Sequence, residues 1–290
     1  MKLLKNNCCC TILAFLCVIF LISGCTCSST TEKDKKGTSQ NYQEKIDSIK
    51  QEIVLSAELQ GLLYKFPSPM GAAIALEKSK AGYFFDITNS PENISKYVTE
   101  KSKALNLGVY SADLSYSVTY NRTDETNKFF YCTSRLADEL GVSGVYDQAT
   151  RDKLKKYISN KDSLIALTNS LSTQTKNFLA ENDRSQVAVL IAAGGFIEGI
   201  FLASALGQSD VRDNSKIMGV IAAQKDNYKK LVQILTAYKN DPEMQPVLDA
   251  MGMMDYLWTN FSLGSGKRIP PEKAVEIFNL AKEIRERLVK

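Results

Sequence analysis

Val187–Leu206, VAVLIAAGGFIEGIFLASAL, is apolar for about twenty residues, enough by length alone to cross a bilayer, and Glu198 is its one charged side chain. Two helical readings compete, a membrane span and the central core helix of a water-soluble body. An acid in the middle of a span is costly in hydrocarbon. Gly195 and Gly199 flank that acid and would let a neighbouring helix come close at its level. The stretch therefore reads as a core helix, near 184–206, with the rest of the chain packed around it.

Working outward, helical periodicity continues in both directions. Downstream, helices are expected near 213–239, 243–261 and 271–289. The last carries an apolar stripe of Ala274, Ile277, Ala281, Ile284 and Leu288, with Glu283 and Arg287 paired four residues apart. Upstream, helices are expected near 162–181, 147–158, 126–140 and 109–121. Ser90-Pro91-Glu92 supplies an N-cap, a first-turn proline and an early acid, and predicts a helix running to Leu105 before Asn106-Leu107-Gly108. Ser68 with Pro69 caps and starts a short helix to about Lys80. Residues 82–89 form a loop carrying Tyr83, Phe84 and Phe85. Asn41 to Leu63 places Ile46, Ile49, Ile53 and Ala57 on one helical face. The seven prolines all fall at expected helix starts or in connections. No alternating run is bounded by hairpin signals, so the fold is expected to be all-α, a single globular bundle of about nine to ten helices spanning 41–290. No fixed-period repeat points to a solenoid.

Two polar features fall on these apolar faces. Glu198, once buried, must be paired, hydrogen-bonded or protonated; the simpler reading is a satisfied core acid bonded to a tyrosine, an arginine or a helix terminus. Tyr110, Asp113, Tyr116 and Tyr120 are spaced by three, three and four residues, so on a helix they share one face. That face is either a hydrogen-bonded seam between helices or the wall of a site for a polar ligand, and the seam is the commoner arrangement. Cys132 is expected to be a buried, inert thiol beside Phe129, Leu136 and Leu140.

The chemistry the chain lacks is equally informative. It has no histidine, which removes His-based triads, the usual zinc sites and the commonest general base. There is no Walker loop, no Gly-x-Gly-x-x-Gly after a strand and no acidic calcium loop; no metal and no cofactor is expected. A Ser-Lys pair or carboxylate-only catalysis has no spacing that points to it. The formal charge of +4 is small for this length, and no basic stripe is interleaved with aromatics, so nucleic acid is not an expected partner.

The N-terminus says where the body belongs. Lys2 and Lys5 precede the apolar run Cys8 to Ile22, the layout of a secretory leader rather than a span. Ile22-Ser23-Gly24-Cys25 closes that run and resembles the lipobox of bacterial lipoproteins, where a peptidase cuts before a lipid-modified cysteine. The resemblance implies removal of residues 1–24, acylation of Cys25 and anchorage through several acyl chains, since a single chain holds only marginally. Loss of Lys2 and Lys5 lowers the charge from +4 to +2. Of the seven cysteines, only Cys27 and Cys132 then remain as thiols, which is no disulfide framework. Residues 25–40 are the modified cysteine and a polar tether reaching roughly 20 Å. Thr26, where inner-membrane lipoproteins of enteric bacteria often carry Asp, makes the outer membrane the expected destination.

Five further stretches carry resemblances. Together with the lipobox, NLGVYSADLSY (Asn106–Tyr116) and ENDRSQVAVLIAAGGFIEGIFLA (Glu181–Ala203) resemble a group of uncharacterised all-helical lipoproteins of Bacteroidota; the resemblance implies no activity, cofactor or catalytic residue. In that setting Asp47-Ser48-Ile49 and Asp162-Ser163-Leu164 match a short O-glycosylation pattern. Leu140 to Arg151 loosely resembles the turn and helix of small peptidoglycan-binding domains, although an interhelical loop with Asp147 as N-cap explains it more simply. The expectation is a lipid-anchored cell-envelope domain that binds or scaffolds an envelope protein or glycan without catalysis. The alternative is a small-ligand receptor or enzyme using an interior polar face around Glu198 and Asp113. Peptidoglycan binding is the third reading.

Overall fold

The computed structural model describes residues 45–48, 50, 57–209, 214–260 and 269–289. The leader, Cys25 and the tether lie outside them, as do Ile49 and Ile53 of the expected first helix. The chain divides into two units, 1–51 and 52–290. In the first, residues 45–48 and 50 are helical, and Ser48 Oγ donates to the Lys45 carbonyl. Ile46 and Ala57, expected on one apolar face, are both exposed.

Among the described residues the second unit is helical with no strand, the all-α bundle expected. Its helices are α1 (57–64), α2 (Met70–Lys78), α3 (Glu100–Thr119), α4 (Thr123–Glu139), α5 (Gln148–Tyr157), α6 (Lys161–Glu181), α7 (Ser185–Ser209), α8 (Ser215–Ala223), α9 (Lys225–Thr236), α10 (Gln245–Asn260) and α11 (Ala274–Val289). Helix α7 is the axis. It packs most extensively on α3, then on α11, α8 and α6, and 89% of its most apolar stretch is buried inside the protein. Its all-round apolar surface suits a helix enclosed on every side rather than an amphipathic one. The stripe of α11 is buried throughout: Ala274, Ile277, Ala281, Ile284 and Leu288 face the core. Arg287 Nη2 meets Glu283 Oε1 at 2.6 Å on the exposed side.

Three boundaries differ from expectation. Ser90-Pro91-Glu92 does start a helix, with Ser90 Oγ accepting from the Glu92 amide at 3.3 Å, but it is a short 3₁₀ turn, Pro91–Lys96. Tyr97 is extended, and Thr99 starts again with a reciprocal cap to Ser102 at 3.1 Å in each direction. Helix α3 then runs straight through Asn106-Leu107-Gly108, where a stop was expected. Gly108 is there for contact, because a Cβ at this position would collide with the carbonyl oxygen of Ile191 in α7. Gly194 stands in the same relation to the carbonyl of Leu105, and at Gly195 a Cβ would lie 3.2 Å from Gly108 O. The two central helices thus cross backbone to backbone. Gly199, expected to share this role, has nothing within 4 Å of an added Cβ.

The expected helix 213–239 is two helices. The Gln224 amide bonds the Ile221 carbonyl three residues back, at 2.9 Å, and this tightened turn redirects the chain without glycine or proline. At α2 the N-cap is Pro69 with no side-chain cap, because Ser68 Oγ donates instead to Asn169 Oδ1 on α6. Leu140 to Asp147 is an interhelical loop. Gly141 (φ +74°) ends α4 in the left-handed conformation, with the Gly141 and Val142 amides bonded back to Asp138 and Ala137. Asp147 then caps α5 by accepting from the Thr150 amide at 2.8 Å.

Candidate functional site

Helices α3, α7 and α11 each send one charged side chain into the core. Asp113 and Glu198 have no exposed surface, and Arg285 reaches in from the edge of the α11 stripe. Its guanidinium grips Glu198 with two bonds, Nε to Oε2 at 2.5 Å and Nη2 to Oε1 at 3.0 Å. The same guanidinium lies 4.5 Å over the Phe201 ring. Such a bidentate pair fixes orientation as well as charge.

Two buried carboxylates and one arginine leave a charge imbalance unless a proton is retained. Burial first, and the neighbouring Glu198 charge second, hold the Asp113 carboxyl well above its ordinary range. Burial also raises Glu198, while Arg285 opposes the rise. The proton therefore sits on Asp113. The Asn89 amide donates to Asp113 Oδ2 at 3.1 Å, whereas Oδ1, buried, meets no protein donor. A protonated Asp113 is the donor in the side-chain hydrogen bond it shares with Glu198.

This assignment has a pH consequence. A folded-state pKa raised above the unfolded value means that the stabilising contribution is complete below the unfolded pKa and is lost as pH rises through the folded one. Asparagine reproduces the protonated acid, one acceptor for the Asn89 amide and one donor for Glu198, without the ionisation. Asp113→Asn is expected to match the wild type near pH 4 and to be the more stable protein near pH 8. Urea unfolding across that range checks it; an Asn variant that loses ground as pH rises would contradict the assignment.

Around this triad runs a polar seam. Asn89 Nδ2 donates to the Tyr97 hydroxyl at 2.9 Å and more weakly to Asn106 Oδ1 at 3.4 Å. Asn106 Nδ2 donates to Ser102 O at 2.9 Å, and Tyr110 donates to the Ser90 carbonyl at 2.7 Å. Of the residues singled out from sequence, Asp113, Glu198 and Tyr110 belong here. Tyr116 and Tyr120 do not. They form a separate aromatic cluster with Tyr83, centroids 4.6 to 5.7 Å apart, in which Tyr116 accepts from the Phe84 amide and donates to Gly82 O. Tyr120 lies just past the last turn of α3, half-buried, rather than on the helix face. Their role is to pin the 82–89 loop. Asn89, Tyr97, Asn106 and Arg285 were missed in the sequence. Only Arg285 left a trace, since it stands four residues after Ala281 on the margin of an apolar stripe.

A cavity of about 250 Å³ lies on another flank of α7. It is walled by α2, α3, α6, α7 and the α8–α9 corner, and neither Glu198 nor Asp113 lines it. Among the described residues no group of three or more acids and cysteines could hold a metal. Cys132 is buried, and burial pushes its thiol up to about 12. Ser163 sits half-buried in the first turn of α6, its amide donating to the Asn160 cap at 2.9 Å. No family model, no curated protein and no solved structure matches the chain.

Proposed function

We propose that this chain is a non-catalytic binding module of the bacterial cell envelope, held at the outer membrane by acyl chains on Cys25. The anchor is supported by the Ile22–Cys25 pattern and the polar tether after it. The binding role rests on one observation: the reactive-looking interior groups are already consumed. Glu198 is closed off by Arg285, Asp113 by Asn89 and Glu198, and neither reaches the cavity, so the triad works as a clasp joining α3, α7 and α11. An acid poised for catalysis needs access to a substrate; these two face only protein. The cavity is where the body can receive a ligand. The Bacteroidota resemblance fits the same placement.

Mass spectrometry of the mature polypeptide is expected to find acylated Cys25 at its N-terminus, and Cys25→Ser to leave the membrane fraction. An intact leader, or a free terminus at another residue, overturns the proposed placement. A hydrolase or transferase activity abolished by Glu198→Gln overturns the non-catalytic role.

A further inference from the structure

The cavity contains an unmatched cation. Lys176 on α6 lines it and is only 7% exposed, yet no acid lines the same wall. The ammonium donates one bond, to the Phe66 carbonyl, and an ammonium has three N–H groups to place. A buried charge ordinarily has an ionic partner, because a single carbonyl does not replace its lost hydration. Burial alone, with no neighbouring charge opposing it, draws the amine below the ordinary lysine range.

The rest of the wall is mostly apolar, with Ser111, Ser172, Thr175 and Gln224 among its polar members, and describes the ligand's body. Leu107, Ile191, Phe196 and Ile200 give an apolar lining, and Gly71 and Gly199 leave open space where side chains would stand, with nothing within 4 Å of an added Cβ. Exposed Pro67 and Gly71 place the mouth at the surface. An apolar cavity of about 150 Å³ holds benzene, so this one suits a ligand of about eight to ten non-hydrogen atoms.

We propose that this cavity binds a small monocarboxylate with an aliphatic body, its carboxylate on the Lys176 ammonium and its chain along Gly195 and Gly199 of α7. One cation matches one negative charge; a phosphate dianion would leave net charge buried, and no arginine fork is present to hold it. The inference rests on reading the chain as a binding module and names what that module takes.

The test titrates hexanoate, and hexanamide as its uncharged isostere, into the mature acylated protein in nanodiscs, with empty nanodiscs subtracted. Saturable binding of hexanoate is expected, with hexanamide weaker by about tenfold or more, the scale of one charge-assisted bond. Lys176→Met is expected to erase that preference. Gly199→Leu, which fills the cavity from a position with free space, is expected to abolish binding of both ligands. No saturable binding of hexanoate, or equal binding of acid and amide by the wild type, overturns the proposal. The acid–amide comparison needs no substitution, so it stands even if Lys176→Met fails to fold. Failure here with Cys25 acylated and the membrane fraction intact removes the ligand class and leaves the envelope module. An unacylated chain removes the placement whatever hexanoate does.

Discussion

A single methyl group added at Gly194 is expected to cost most of the protein's stability. In Gly194→Ala the new Cβ meets the carbonyl oxygen of Leu105, with the α-carbon of the same residue behind it at 3.1 Å. Neither atom is the end of a flexible side chain, so relief requires α3 and α7 to separate along the largest helix contact in the fold. Overpacking on this scale, against backbone rather than side chain, should cost at least about 3 kcal/mol. Gly108→Ala should behave alike from the other side of the crossing. The control is Gly199→Ala on the same helix. Its Cβ meets nothing within 4 Å, and alanine is the better helix former by up to about 1 kcal/mol, so that variant should equal or exceed the wild type. Urea unfolding followed by circular dichroism compares the three. Equal stability of Gly194→Ala and Gly199→Ala would refute the backbone-to-backbone crossing.

The second large effect belongs to Arg285. Replacing it with methionine keeps an unbranched apolar side chain but removes the guanidinium from both Phe201 and Glu198, and Glu198 has no exposed surface. Breaking a buried pair from one side typically costs about 3–5 kcal/mol, because the remaining charge loses its counter-ion without regaining water. Glu198 in that variant should hold a proton at neutral pH, so Arg285→Met should recover stability as pH falls toward the carboxylate range. Adding Glu198→Gln to Arg285→Met should restore part of the loss by removing the stranded charge. A double variant no more stable than Arg285→Met would mean that the clasp contributes through packing and not through charge.

How much of this was legible follows from what each residue does. The buried stripe of α11, the core placement of α7, the Asp147 cap and the polar content of the α3 face are properties of one segment and its period. They stand in the sequence without reference to any other. Gly108 was misread because a glycine after Asn-Leu looks like a helix end, and only its neighbour Ile191 reveals it as a contact. The corner at Gln224 has no breaker residue, so nothing local announces it. Pairing Glu198 with an arginine was a foreseeable class of solution, but choosing Arg285 required knowing that α11 returns to the middle of α7. Tyr116 and Tyr120 shared Asp113's period and still joined a different cluster, since the loop bearing Tyr83 covers the far end of α3. The cavity had no signal of its own; it arises where small residues from several helices meet.

The counter-ion of Glu198 comes 87 positions later in the polypeptide. A nascent chain therefore exposes an apolar segment with a bare acid at its centre long before the matching guanidinium has been made. Until α11 is made, closing the interior means burying that acid without its counter-ion, which disfavours early collapse. The proposed export through a secretion pore needs such a delay, because only a loosely structured strand can be threaded. The same clasp that locks the domain is thus completed only once α11 has been made.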